Sequence, residues 1–315
     1  MNNRRSFIIG LKSLELSAKE RIFLKEYKPW GVILFARNIK SIKQTSKLTS
    51  SIRKVFNDKK YPILIDQEGG RVNRLKNLIS FDNLTSEFFG NKYINDLKEF
   101  KIYYKLFIDK TSFLLNKIGA NINTVPVLDL RVKRASKIIG DRSFSKNYKI
   151  VSKIGDLCIQ YFHENNIGSL IKHIPGHGLA KVDSHNFTPV INKKISYLMK
   201  NDFLAFKKKK TFFAMTAHII FSKIDNKNTV THSKKMIKLI RTKIGFKNIL
   251  ISDDLSMKSL KGNIKENTIK TFKAGCNLAL HCNGNQKEME IVAKNSPLIN
   301  NFIIQKTSQF YKILR

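Results

Sequence analysis

Three histidines, His173, His177 and His185, fall within residues 172–185 (KHIPGHGLAKVDSH). Histidine gives and takes protons near neutrality, with an ordinary pKa of about 6.5, and it is the commonest metal ligand. A zinc-binding pair at i, i+4 needs a helix. Pro175, Gly176 and Gly178 argue against a helix here, so no metal is expected. His177, between two glycines, reads as a turn residue that supplies a structural hydrogen bond. Asp183 and His185 are different. Two apart in an extended loop, they point to the same side. The carboxylate can hold one imidazole nitrogen and raise the basicity of the other. The plainer reading is a solvated loop pair. Ser184 lacks the Gly-x-Ser-x-Gly surroundings of a nucleophile elbow, so a serine hydrolase is not expected.

A second reactive stretch is 251–257 (ISDDLSM). An apolar run leads into paired carboxylates, which are costly at a strand end unless countered or at work. Asp253 is expected to face a pocket, as a nucleophile or as a stabiliser of a developing cation. Asp254 and Ser256 suit a structural role, such as capping the next helix. A third stretch is 66–74 (DQEGGRVNR). Gly69 and Gly70 allow a tight turn after a strand. Asp66 can accept two hydroxyls, a common way to hold a sugar, and Arg71 and Arg74 donate in planar forks. Residues 140–144 (GDRSF) add Arg142 in a loop.

Eight short apolar segments precede or contain these residues: 6–11, 30–36, 61–66, 120–127, 167–173, 212–218, 248–253 and 276–282. Several are continuously apolar, as strands of a parallel sheet covered on both faces are. Helix-like stretches lie between them, among them 42–56, 98–117, 148–165, 233–244 and 266–274. This alternation predicts βαβ units and a single-domain α/β (β/α)8 TIM-type barrel over residues 1–315. The tail, 296–315, reads as one closing helix with Ser296 as cap and Pro297 as first helical residue. In such a barrel chemistry sits at the carboxyl ends of the strands. Seven of the eight segments end in or run into polar groups there: Arg37–Asn38, Asp66, Asp129, Lys172–His173, His218, Asp253–Asp254 and His281. One such group is noise, but seven suggest a ring around a pocket.

Composition excludes several classes. The 315 residues carry 59 Lys+Arg against 23 Asp+Glu, a formal charge of +36, yet 42% are hydrophobic, too many for a disordered chain. The lysines are spread along the chain, and no zinc-finger, Walker or RNP-like pattern accompanies them, so nucleic acid is not the expected partner. Abundant Lys, Asn and Ile together fit the codon bias of an AT-rich genome. No apolar run is long enough to cross a membrane. The basic start MNNRRSFIIGL resembles an export signal, but Lys12 cuts its apolar run short, so a first strand is preferred. Three cysteines, Cys158, Cys276 and Cys282, suit a reducing compartment and no disulfide framework.

Together, DQEGGRVNRL, GDRSF, KHIPGHG…DSH and ISDDLSM resemble the bacterial β-N-acetylhexosaminidases of glycoside hydrolase family 3, of the NagZ type. The resemblance covers nearly the whole chain and implies a (β/α)8 barrel. By that resemblance Asp253 is the nucleophile and His185 the acid/base, oriented by Asp183. Asp66, Arg74, Arg142, Lys172 and His173 would contact N-acetylglucosamine. The implied substrate is an N-acetylglucosaminyl-1,6-anhydromuramyl-peptide of peptidoglycan recycling, hydrolysed in the cytoplasm by a monomer without cofactor. Asn73, Ile174, Leu179 and Asn248 depart from the family's usual residues, but none is a proposed catalytic residue. Alternatives are a substrate-assisted hydrolase, an N-acetylglucosaminide phosphorylase, and a non-catalytic anion- or nucleic-acid-binding barrel.

Overall fold

A computed structural model describes residues 1, 3–132 and 135–314. Eight parallel strands close into a barrel: β1 (Arg5–Gly10), β2 (Pro29–Leu34), β3 (Ile63–Ile65), β4 (Ile122–Asn123), β5 (Gly168–Ile174), β7 (Phe213–Thr216), β9 (Ile249–Asp254) and β10 (Leu278–His281). Closure comes from β1 pairing with β10, Ile8 opposite Leu280. Two further short strands, β6 (Val190–Ile191) and β8 (Ile220–Phe221), pair outside the barrel. Each of the eight predicted segments holds one barrel strand. The β6–β8 pair was not anticipated, because two-residue strands show no periodicity.

The helices follow the predicted stretches closely. Ile42–Phe56 is capped by Ser41 and stops at Asn57 in the left-handed region. Leu97–Ile118, Tyr148–Glu164 and Ile264–Ala274 are each capped at the N-terminus by Asp96, Asn147 and Asn263. The stretch 233–244 is one α-helical run, Lys234–Leu239, that loosens into a wider π-type turn, Ile240–Ile244.

The tail corrects the sequence reading. Ser296 is not a cap; its hydroxyl donates to Val292 O at 2.7 Å and closes the preceding helix, Gln286–Lys294. Leu298 instead bridges antiparallel to Arg5, and Ile299 N donates to Arg4 O at 2.9 Å. These pairs satisfy backbone groups at the open start of β1, so the closing helix begins later, at Asn301–Tyr311, with Asn300 as cap. Arg315, the predicted end of that helix, lies outside the described residues. The helix plugs the amino-terminal end of the barrel. Phe310 packs on Phe213, and Trp30 Nε1 donates to Thr307 Oγ1 at 2.9 Å.

The strand period of two sorts the side chains into two layers. Leu250 and Ala279 face the helices, in the larger core. Ile8, Ile33, Leu64, Ile122, Leu170, Ile249, Ile251 and Leu278 fill the barrel interior. Counting on by two along the same faces, Leu64 leads to Asp66, Ile122 to Thr124, Leu170 to Lys172, and Ile251 to Asp253. The polar residues are thus the next inward layer of the barrel, at its carboxyl-terminal mouth.

Two glycine positions are dictated by the backbone. Gly69 and Gly70 have φ of 93° and 54°, which fits the predicted turn after β3. Gly178 brings its loop against the exit of β4, where an added Cβ would lie 2.1 Å from the Leu130 carbonyl oxygen. Gly178→Ala should therefore cost about 1–3 kcal/mol of stability. A melting experiment checks this, and an unchanged Tm would show that the loop can move away freely.

Candidate active site

The mouth of the barrel holds a small open cavity of about 140 Å³. Seven of the eight sequence-predicted site residues line it: Asp66, Arg74, Arg142, Lys172, His173, His185 and Asp253. Asp183 stands behind His185 and reaches the cavity through it. Ile33, Phe35, Met215 and Leu280 supply an apolar floor and wall.

On one side is a dense charge cluster. Asp66 accepts from Thr124 Oγ1 at 2.7 Å, from Arg74 Nη2 at 2.9 Å, and from Lys172 Nζ. Lys172 also reaches Glu68 Oε1 at 2.6 Å, and both side chains are 2% exposed. Glu68 is held fork to fork by Arg142, at 2.7 and 2.8 Å. Burial would raise the Asp66 carboxyl, but the charges of Lys172, Arg74 and Arg142 outweigh it and hold the group well below the usual carboxylate range. Glu68 is likewise lowered, against burial, by Arg142 and Lys172. Arg142 therefore borders the cavity with its fork engaged by Glu68. Arg71 turns away from the cavity and braces the loop 137–141 through Asp141 at 2.8 Å and three carbonyls.

Opposite lies Asp253. Its Oδ1 accepts the Asp254 amide at 2.8 Å, and its Oδ2 is 4.0 Å from His173 Nε2. Burial again opposes ionisation, but His173 and His218 hold the carboxyl below its ordinary value. Asp254, out of phase with it, accepts from Ser256 N, Ser256 Oγ and Cys282 N. These bonds fit the structural role expected for Asp254 and Ser256. His173 is oriented by Asp129, whose Oδ2 lies 2.7 Å from its Nδ1. The other oxygen of Asp129 accepts the His177 amide at 2.6 Å.

The loop after β5 carries Asp183 and His185 over the mouth. Asp183 Oδ1 is 2.8 Å from His185 Nδ1 and accepts the His185 amide at 2.8 Å, so the expected pair forms, but in a turn closed by Asn186 N and Phe187 N on Asp183 O rather than in an extended loop. Burial raises the Asp183 carboxyl, but the two bonds to His185 and its charge together outweigh that and lower it. His185 Nε2 has no partner among the described residues. His177 is buried, with Nε2 3.0 Å from Ser184 Oγ, in keeping with its expected structural bond. Among the described residues no group of three or more His, Cys, Asp or Glu is placed to hold a metal ion.

The sequence reading missed Glu68, Thr124, Asp129 and His218. Glu68 lies inside a motif already singled out, and a buried lysine one strand away was the signal that it would be paired. Asp129 and His218 were seen only as polar strand ends. His218 is fully buried between Thr231 Oγ1 at 2.7 Å and Asp254 O at 3.1 Å, so it supports the Asp253 turn rather than the cavity wall. Arg37, Asn38 and His281 also prove structural: the first two bind the Leu11 carbonyl and His281 binds Glu288.

Lys172 is the shared countercharge of two buried carboxylates. Lys172→Met should cost about 3–5 kcal/mol at neutral pH, because two buried acids lose their shared countercharge and each keeps a single arginine. The folded-state values of Asp66 and Glu68 lie below their unfolded ones. Their contribution is therefore present above about pH 4 and lost as pH falls through the folded values. The stability gap between wild type and variant should close as the pH is lowered. Melting curves across pH test this, and a gap constant with pH would contradict it.

Comparison with known proteins agrees with this architecture. Residues 8–308 match the family model described as the Glycosyl hydrolase family 3 N terminal domain. A beta-hexosaminidase of Tolumonas auensis is 31% identical over 282 residues, covering 88% of this chain and 82% of that protein. One from Haemophilus influenzae is 30% identical over 295 residues, covering 91% and 82%. The crystal structure of NagZ from Neisseria gonorrhoeae in complex with N-trifluoroacetyl-D-glucosamine superposes with a TM-score of 0.87. It is 25% identical, over 99% of this chain and 90% of that one. With a closed (β/α)8 barrel and ionisable groups gathered at its carboxyl-terminal mouth, the chain belongs to glycosyl hydrolase family 3 and is a glycoside hydrolase of the β-hexosaminidase, NagZ type.

Proposed function

We propose that this barrel, spanning residues 1–315, is a retaining exo-β-N-acetylglucosaminidase acting by two displacements. Asp253 Oδ2 attacks the anomeric carbon and the glycosidic C–O bond breaks. His185 Nε2 gives its proton to the departing oxygen, leaving a glycosyl ester on Asp253. Water then attacks the same carbon, His185 takes its proton, and the ester bond breaks to free Asp253. Two inversions give net retention. The observation that carries this reading is that Asp253 and His185 line one cavity, with Asp183 bonded to the nitrogen of His185 that faces away from its free one. The lowered Asp253 carboxyl supports an ionised nucleophile at neutral pH.

Asp66, Arg74 and Lys172 are proposed to bind the sugar hydroxyls, with His173 beside the ring and Arg142 bracing Glu68 behind Lys172. The proposed substrate is a terminal N-acetylglucosamine on 1,6-anhydro-N-acetylmuramyl-peptide, released during peptidoglycan recycling in the cytoplasm by a monomer. The crystallised relative that binds N-trifluoroacetyl-D-glucosamine supports an N-acylated sugar. Among the described residues no helix is long and apolar enough to cross a membrane.

The test uses purified enzyme and two N-acetylglucosaminides, one with an activated aryl leaving group and one muropeptide. Asp253→Asn should abolish turnover of both. His185→Ala should lose on the order of 10²–10⁴-fold on the muropeptide and far less on the aryl glycoside, whose leaving group needs no proton. Equal losses on both substrates would remove His185 from the acid role. Sugar 1-phosphate formed with phosphate present would replace hydrolysis by phosphorolysis.

A further inference from the structure

The loop that carries Asp183 and His185 is mostly exposed, yet the residue between them is not. Ser184 is 3% exposed, while Lys181, Val182, His185, Asn186 and Phe187 all face solvent. The chain turns here, with Asn186 N and Phe187 N both donating to Asp183 O, at 3.1 and 2.9 Å, and the turn leaves His185 exposed while it tucks Ser184 against His177 in the wall of the same cavity. Its hydroxyl lies 3.0 Å from His177 Nε2, and His177 is itself 3% exposed.

His177 is fixed in turn. Its amide donates to Asp129 Oδ1 at 2.6 Å, and Asp129 Oδ2 lies 2.7 Å from His173 Nδ1. His173 Nε2 then stands 4.0 Å from Asp253 Oδ2. A chain of polar contacts therefore runs from the loop of the proposed acid, through buried groups, to the proposed nucleophile. Burial pushes the His177 ring down to about 4, so it is neutral at physiological pH and adds no charge to the pocket. Two other contacts tie the loop to the turn after β9: Lys258 N to His185 O at 3.3 Å, and Thr188 Oγ1 to Ser259 O at 2.8 Å. Neither of these is buried as the Ser184 contact is, and neither leads toward Asp253.

We propose that Ser184 is a positioning residue. By pairing with His177 its hydroxyl fixes where His185 stands relative to the sugar bond at Asp253. The proposal rests on His185 being the acid/base. Ser184 touches neither reacting atom and acts only through its neighbour. Losing the hydroxyl leaves the nucleophile and the sugar-binding cluster intact and lets the acid stray.

The test is a double-variant cycle on the full chain, with the muropeptide and an activated aryl N-acetylglucosaminide as substrates. Ser184→Ala should lower kcat on the muropeptide on the order of 10-fold, a part of the full general-acid effect. kcat/KM on the aryl glycoside should change less than about 2-fold, since it reports formation of the sugar ester from a leaving group that needs no proton. In a His185→Ala background the same substitution should add no further loss, because the group it positions is gone. Equal losses on both substrates, a full loss retained in the His185→Ala background, or wild-type kinetics would each overturn the proposal. A His185→Ala enzyme that shows no preference for activated leaving groups would instead sink the acid assignment, and this proposal with it. Melting temperature, measured alongside, separates a loosened fold from a misplaced acid.

Discussion

Carboxylates drawn inside a barrel must be countered, and that requirement organises the mouth of this one. Asp66, Glu68, Asp129 and Asp253 all sit where desolvation works against the charged carboxylate. Each is kept ionised by specific neighbours: Lys172, Arg74 and Arg142 for the first two, His173 for the others. Apart from Asp66 and Arg74, which share the segment after β3, the paired acids and bases come from different strands, so these pairs form only when β3, β4, β5 and β9 have come together. The same charges that tie the strand ends together keep the Asp253 carboxyl below its ordinary value and leave Asp66 at the cavity wall, where it is proposed to bind sugar hydroxyls. Stability and chemistry are thus carried by one set of side chains.

The proposed nucleophile and its proposed proton partner are supported differently. Asp253 projects from a strand, in phase with Ile249 and Ile251 of the packed interior. Its position is fixed by the core beneath it and by the Asp254 amide. His185 sits on a loop with 60% of its side chain exposed and relies on a few local bonds. A rigid carboxylate suits bond formation to carbon, where distance is critical. An exposed imidazole on a loop can meet leaving groups of varied shape and still exchange its proton with water.

Much of this was readable from residue order. The period of two carries four of the apolar strands into a polar mouth residue, and that pattern marks Asp66, Lys172 and Asp253 without coordinates. The i, i+2 spacing places Asp183 against His185, and the shared motifs name the family. What the sequence could not supply is cross-strand pairing. Nothing local says that Glu68 will meet Arg142, distant in sequence, or that Asp129 will split between His173 and His177. The tail was misread because Asn300 and Ser296 are both good caps. The choice fell to Arg4 and Arg5 at the other end of the chain, which pair with residues 298–299. The charge of +36 has no counterpart in the site: among the described residues its lysines are mostly at the surface, and nothing in the fold explains it.

The central claim is a covalent sugar ester on Asp253. It is tested most directly by incubating the enzyme with a ring-fluorinated N-acetylglucosaminyl fluoride, digesting with protease and mapping the peptide masses. The account predicts one added sugar on the peptide that contains Asp253, and none in Asp253→Asn. A label on another carboxylate, or rapid turnover with no protein adduct because the acetamido oxygen does the work, would contradict it.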